Sequence, residues 1–339
     1  MTQPVNRTAA PLARPSSRHL APVPERSAWD DYAEDWSRSL RARNLAPLSV
    51  KSYLRGLGML AAYAVPRGCP SPEEADHDLL TGFFLHLFTE PSARGIPHKP
   101  SSVEAIHKTL RVFFRWLEDA EEIPSPMRKI PQPKVVKTPP PVYSDDDLRA
   151  LLKACERDAR SKDKDVAFAG RRDLALFRLL IDTGLRRKEL AGLEVEHVDR
   201  RNQLLTVTGK GGKVRRVPYF DKTGVALDAY FRARAKHKDA RLPALWLAAY
   251  PRRGALGYGG LGDLVLRRTA EAGLDGTHFL HRFRHTAAHA YLSEPGAHEG
   301  DAMELFGWSS REMLDRYGAS AKADRAIANA RRMGHGDRI

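Results

Sequence analysis

His281-Arg282-Phe283-Arg284-His285-Thr286-Ala287, followed by Phe306-Gly307-Trp308-Ser309-Ser310 and then Asp315-Arg316-Tyr317-Gly318, is the stretch around which the chain is organised. An apolar, helix-like run separates the first segment from the second. Residues three apart in a helix share a face, so His281 and Arg284 point at one ligand. A guanidinium fork suits phosphate oxygens, and a phenol attacks phosphorus once something takes its proton. An imidazole, a guanidinium, an indole and a lone phenol in this order imply phosphoryl transfer with Tyr317 as nucleophile. Such chemistry needs partners from elsewhere in the chain.

Earlier in the chain, Gln203 to Thr208 and Val214 to Tyr219 are β-like runs around Gly209-Lys210-Gly211-Gly212-Lys213, a hairpin with Lys210 near its tip. The Gly-Lys-Gly-Gly lacks the spacing of a nucleotide-binding phosphate loop and does not open a helix, so that reading is rejected. Before the hairpin, Arg171 to Asp182 reads as an amphipathic helix with Leu174, Phe177, Leu180 and Ile181 inward. It ends at Thr183-Gly184, where glycine supplies the turn. Leu185-Arg186-Arg187-Lys188-Glu189-Leu190 then opens a short helix. Asp221 to Lys236 and Gly260 to Ala272 read as further helices. Ala321 to Met333, after Tyr317, reads as a short one with Ile327 and Ala330 on one side.

Further outward the character changes. Pro124-Ser125-Pro126 to Pro139-Pro140-Pro141 is Pro- and Lys-rich without periodicity, the composition of a stiff, extended linker. Ser144-Asp145-Asp146-Asp147 caps the helix after it and opens a second domain. Ahead of the linker, Trp29, Tyr32, Ala33, Trp36 and Leu40 define one helix face. Tyr53, Leu57, Leu60 and Ala61 define another, on a helix from Ser49 to Val65. Ser71-Pro72-Glu73-Glu74 carries a helix-start signature, with a largely buried run from Leu79 to Phe88 after it. Ser101-Ser102-Val103-Glu104 starts a fourth helix, bearing Ile106, Leu110, Phe113, Phe114 and Leu117. The expected fold is therefore two-domain. An all-α helical bundle over 26–124 precedes a linker over 125–142 and a mainly α (α+β) domain with a small β-hairpin over 143–339. Residues 1–25 read as a basic, Pro-rich arm, too short to fold a further DNA-binding domain.

A formal net charge of +14 points to a polyanionic partner, most simply nucleic acid. In the bundle, Arg38, Arg41, Arg43, Lys51, Arg55, Lys108 and Arg111 are left outside the apolar faces. Singly each reads as a solvated surface residue; together they are candidate phosphate contacts, as is Lys213 at the hairpin. Two distant cysteines, Cys69 and Cys155, exclude a disulfide framework or zinc ribbon and fit a reducing cytoplasm. No apolar run is long enough to span a membrane, and the basic N-terminus lacks the apolar core of a secretory signal.

Arg186, Lys210, His281, Arg284, Trp308 and Tyr317 come from separate segments, but as a set they make chemical sense. Two arginines clamp the charge that builds on a phosphodiester under in-line attack, with no metal ion required. A phenol with an ordinary pKa of about 10 needs help losing its proton. The leaving 5′ oxygen needs a proton in turn, which a hairpin-tip lysine can supply.

The order and spacing of these residues resemble the tyrosine recombinases of the phage integrase family. Thr183-Gly184-Leu185-Arg186 with Glu189-Leu190 is similar to the family's first arginine box. Gly209-Lys210-Gly211 with Arg216-Val217-Pro218 is similar to its lysine hairpin. His281-Arg282-Phe283-Arg284-His285-Thr286 is similar to its His-x-x-Arg box, with Phe283 where leucine is commoner. Trp308, nine residues before Tyr317, stands where the family usually has histidine and sometimes tryptophan. The resemblance runs from about residue 26 to the end. It implies a core-binding, SAM-like helical domain and a catalytic domain that close around double-stranded DNA.

By the same resemblance, Arg186 and Arg284 hold the scissile phosphate, Lys210 is the general acid, and His281 assists proton transfer. Tyr317 forms a 3′-phosphotyrosyl link, with no metal, nucleotide or other cofactor. His285 is expected to pack beneath the site and Glu189 to orient the Arg186 segment. The resemblance further implies a bacterial, nucleoid-associated homotetramer on two DNA duplexes, linked by exchange of the C-terminal helix, with room for an accessory directionality or DNA-bending factor. Two alternatives stay open at this point: a relaxing enzyme like the type IB topoisomerases, and a catalytically silent DNA-binding regulator on the same fold.

Overall fold

The computed structural model describes residues 27–92, 95–121, 123–136, 140–276, 278–294, 296–334, 336 and 339, without the side chains of 210, 316, 319, 320 and 322–324. The arm expected over residues 1–25 lies outside the described residues. The chain divides into two compact units, Met1–Lys137 and Thr138–Ile339.

The first unit is a bundle of α1 (Ala28–Ala42), α2 (Pro47–Ala64), α3 (His77–Thr89) and α4 (Pro100–Glu121). Ser27 opens α1 with a capping box: its amide donates to Asp30 Oδ2 at 3.1 Å. The apolar stripe of α1 is buried through Trp29, Trp36 and Leu40. Trp36 sits edge-on to Phe113 of α4 at 5.1 Å and stacks on Tyr53 of α2 at 5.6 Å. Leu57, Leu60, Phe83, Val103 and Leu110 complete the core, each burial contributing roughly 2 kcal/mol.

Three readings of this region are corrected. Ser71 caps only a 3-10 turn, Pro72–Glu74; Ala75 is extended, and α3 starts at His77 because Asp76 accepts from the Leu79 amide at 2.8 Å. The run from Leu79 to Phe88 is one-sided: Leu80, Phe83, Phe84 and Leu87 are buried, whereas Leu85 is 62% exposed. The start of the Pro-rich segment is not free. Pro126–Lys129 forms a 3-10 turn that buries Met127 in the bundle core, and the Ile130 carbonyl meets His107 Nε2 at 3.2 Å.

The second unit is built on α5 (Asp145–Ala159) and α6 (Lys164–Thr183). Ser144 accepts from the Asp147 amide at 3.1 Å and starts α5 as expected. Helix α6 begins seven residues before the expected Arg171, because Asp163 caps it through the Asp165 and Val166 amides. Its first turn, Lys164 to Val166, is exposed and the remainder is buried on most sides, so no single apolar stripe marks where it starts. Its polar members are paired inside: Asp173 takes Arg172 at 2.7 Å and Arg268 at 2.7 Å.

After α7 (Arg187–Ala191) come β1 (Val198–Asp199), β2 (Leu204–Thr208) and β3 (Val214–Pro218), an antiparallel sheet in sequence order. Leu205 pairs with Val217 and Val207 with Arg215. Helices α8 (Asp221–Arg234), α9 (Tyr258–Glu271), α10 (Leu280–Ser293), α11 (Glu299–Phe306) and α12 (Arg311–Met333) follow. The expected short helix from Ala321 is in fact the second half of α12, which starts after Ser310 and carries Tyr317 on its second turn. Ala321 is fully buried against the same chain, in a cluster with Ala288 and Leu292 of α10; beyond it, Ile327 and Met333 are more than half exposed.

Candidate active site

The site forms where three chain reversals meet. Helix α6 stops at Thr183 and Gly184 takes φ +56°, a left-handed conformation suited to glycine. A β-carbon there would also lie 2.9 Å from the Phe306 ring. The reversal makes Arg186 the first residue of the next turn. Its amide donates to Glu189 Oε2 at 2.8 Å, its Nη1 to Oε1 at 2.8 Å, and its Nη2 to the Gly307 carbonyl at 2.8 Å.

Glu189 is buried and also takes a two-pronged bond from Arg215, Nη1 to Oε1 and Nη2 to Oε2, both 2.9 Å. Burial alone would push its carboxyl up. The Arg215 fork and the Arg186 amide outweigh that and hold it at about 2.

Helix α10 places His281 and Arg284 on the site, as their three-residue spacing requires. Arg284 is fully buried. It donates through Nη1 to the Gly184 carbonyl at 3.0 Å and through Nη2 to the Phe306 carbonyl, while its Nε is buried with no partner among the described residues. Burial, and after it the neighbouring Arg186, hold its guanidinium down to about 10. A cation desolvated in this way beside a second cation is a seat for an anion. Arg282, between them in sequence, turns away: it lies over Tyr143 at 4.2 Å and donates to the Val142 carbonyl at 2.8 Å.

Tyr317 is 4% exposed, and its hydroxyl is 2.7 Å from His281 Nε2. His285 stacks on the phenol at 4.7 Å and Trp308 stacks on it at 5.0 Å, with Phe306 behind the indole at 5.0 Å. The Arg284 guanidinium carbon lies 5.8 Å from the centres of both the Trp308 and Tyr317 rings. The indole N–H of Trp308 is buried with no partner among the described residues, a donor available to a ligand.

The fold thus brings Arg186, Glu189, His281, Arg284, His285, Trp308 and Tyr317 together. Lys210 lies in the β2–β3 turn, where Gly211 and Gly212 both take φ +76° and the Gly209 amide donates to the Lys213 carbonyl at 2.7 Å; the Lys210 side chain lies outside the described residues. Lys213 is exposed beside that turn. In the bundle, Arg38, Arg41, Arg43, Lys51, Arg55, Lys108 and Arg111 are all exposed. Of these, Arg43, Lys108 and Arg111 gather with Arg115 and Trp116 around one concavity, and Lys108 is also paired with Glu104 at 2.8 Å.

Arg215 is the functional candidate that sequence reading missed. In Val214-Arg215-Arg216-Val217, strand alternation puts either the odd or the even arginine inward. Val217 and Tyr219, both buried, fix the choice. An arginine in phase with the apolar face was the signal.

Such an arrangement, a phenol against an imidazole with a buried guanidinium close by, has the groups that phosphoryl transfer to a tyrosine requires. Residues 142–324 match the phage integrase family. Tyrosine recombinase XerC 2 of Ralstonia nicotianae is 30% identical over 290 residues, covering 84% of this chain and 80% of that protein. Tyrosine recombinase XerC of Myxococcus xanthus is 29% identical over 278 residues, 80% of this chain and 87% of the relative. The chain belongs to the phage integrase family and is a tyrosine-type site-specific recombinase, an enzyme that cleaves and rejoins DNA. The fold is that of the XerH recombinase bound to palindromic difH substrate (TM-score 0.66, 18% identity, 88% of this chain and 83% of that one). It is also that of a lambda integrase dimer bound to a core site (TM-score 0.63, 18% identity, 85% and 76%).

Proposed function

We propose that Tyr317 attacks a phosphodiester of duplex DNA and forms a 3′-phosphotyrosyl link, releasing a 5′-hydroxyl. The observation that carries this reading is the 2.7 Å contact between the Tyr317 hydroxyl and His281 Nε2 beside the buried Arg284. A neutral imidazole with its proton on Nδ1 accepts the phenol proton there as the O–P bond forms. Arg186 and Arg284 hold the non-bridging oxygens, and the Trp308 indole donates one further hydrogen bond. As the P–O5′ bond breaks, Lys210 delivers a proton to the leaving oxygen. Attack by a new 5′-hydroxyl reverses each step and frees Tyr317. The phosphodiester energy is conserved in the protein–DNA bond, so the chemistry asks for no metal and no nucleotide. Glu189 orients Arg186, and His285 supports the phenol from one face.

The substrate on this reading is a pair of double-stranded recombination sites, held by a homotetramer on two duplexes. The XerH and lambda integrase structures are complexes with site DNA, and the latter is a dimer. The exposed Ile327 and Met333 on the last turns of α12 suit docking on a neighbouring copy. The bundle over 26–124, with its exposed cations, is the second DNA-binding element. No helix among the described residues is long and apolar enough to cross a membrane. Bacterial relatives support a nucleoid-associated, cytoplasmic role.

The test is covalent capture. Protein is mixed with a pool of nicked host-genome duplexes that trap the cleaved state, then denatured, and the attached DNA is sequenced. Recovery with the wild type and none with Tyr317→Phe establishes the nucleophile and reads out the target site. Equal background from both proteins removes the assignment of Tyr317.

A further inference from the structure

The Arg215 guanidinium has an unusual set of neighbours. Its fork is spent on Glu189, the carboxylate that holds both the amide and the guanidinium of Arg186. Its Nε donates to the Leu305 carbonyl at 3.0 Å, near the end of α11. Two glycines approach the same group. A β-carbon on Gly307 would lie 3.1 Å from Arg215 Nη1 and 3.3 Å from its Cζ. One on Gly209 would lie 3.5 Å from Nη1 and 3.7 Å from Glu189 Oε1. Gly209 directly precedes Lys210, and Gly307 directly precedes Trp308. One buried side chain therefore binds the carboxylate that sets Arg186 and lies close beside the glycines leading into two further candidate catalytic residues.

We infer that Arg215 is a positioning residue for strand cleavage, fixing the Lys210 turn, the Arg186 fork and the Trp308 turn in one common register. This rests on the assignment of Lys210 as general acid given above. Arg215 is 8% exposed and each of its three guanidinium nitrogens donates to Glu189 or the Leu305 carbonyl, so its action runs through other residues rather than through the phosphate. Removing it leaves Arg186 as the cation bonded to Glu189. The carboxylate then competes with phosphate for Arg186, and the turn before Lys210 no longer has the surface it packs on.

The experiment compares cleavage of a nicked duplex carrying oxygen at the 5′ bridging position with one carrying sulfur there. A thiolate leaves without a proton, since thiols ionise near a pH of about 8.5. A fault in delivering the proton is therefore relieved by sulfur, whereas a general loss of structure is not. Arg215→Met in the full chain is expected to cleave the oxygen substrate about 100-fold more slowly, with at least about tenfold recovered on sulfur. Arg215→Lys keeps a cation without the fork and should fall between wild type and Met, which preserves a readout if Met does not fold. Glu189→Gln with Arg215→Met should be no slower than Arg215→Met alone, because the two act as one unit.

Cleavage of the oxygen substrate within threefold of wild type by Arg215→Met, or equal losses on both substrates, overturns the proposal. Lys210→Ala is the control. If sulfur fails to rescue that variant, the general-acid assignment falls first and the proposal falls with it.

Discussion

Glu189 is the residue whose physics is most exposed to measurement. Its carboxyl ordinarily titrates near 4.5 and is held at about 2, with burial opposing and the Arg215 and Arg186 bonds prevailing. A carboxyl depressed in the folded state stabilises the fold above its unfolded pKa, and that contribution disappears as pH falls through the folded one. Urea unfolding of the wild type should therefore lose roughly 3 kcal/mol between a pH of about 4.5 and about 2 from this group. Glu189→Gln should be less stable at neutral pH and show a flatter acid limb. An unchanged limb would mean that the pair contributes nothing to acid sensitivity. The residues that gather around Tyr317 could be named from sequence, because few side-chain types suit attack on phosphorus or the holding of its oxygens. Arg215 was missed: its alternation with Val217 and Tyr219 marked it as inward, but only the structure shows that it is buried on Glu189.

At the scale of elements, two glycine reversals do most of the assembly. Gly184 sends the chain from α6 into the Arg186 turn and offers its carbonyl to Arg284. Gly307, at φ +59°, ends α11 and offers its carbonyl to Arg186. Gly184→Ala forces a β-carbon into a left-handed backbone 2.9 Å from Phe306, and should cost about 1–3 kcal/mol of stability. Since both arginines depend on this corner, the same variant should slow covalent capture by at least about tenfold. Capture at the wild-type rate would show that the corner tolerates the shift. The starts of α5 and α4 were readable to within about one turn from serine capping signals. The starts of α6 and α12 were not, since the first turn of α6 is exposed and carries no apolar stripe and α12 runs unbroken through Tyr317.

For the whole molecule, a net charge of +14 attracts the DNA backbone and makes binding sensitive to salt. In the bundle, Arg43, Arg111 and Arg115 share one concavity. Replacing all three with serine should weaken DNA binding at moderate salt. The slope of log K against log salt should fall by about one for each phosphate no longer neutralised. An unchanged slope would mark that face as solvated surface, leaving Arg41, Lys51 and Arg55 as the candidates in this unit.

The amino-acid sequence by itself determined the class of chemistry, the helical bundle ahead of a mixed domain, and the set of polar groups around Tyr317. These follow from side-chain chemistry and from short-range rules of capping and periodicity, which act within a few residues. Only the tertiary structure decided that the His281 imidazole meets the Tyr317 hydroxyl, that Trp308 stacks on the phenol, and that Arg215 binds Glu189. Those contacts join residues 36, 9 and 26 positions apart. They depend on strand register, on left-handed glycine turns and on how buried helices pack, none of which is written in the local pattern.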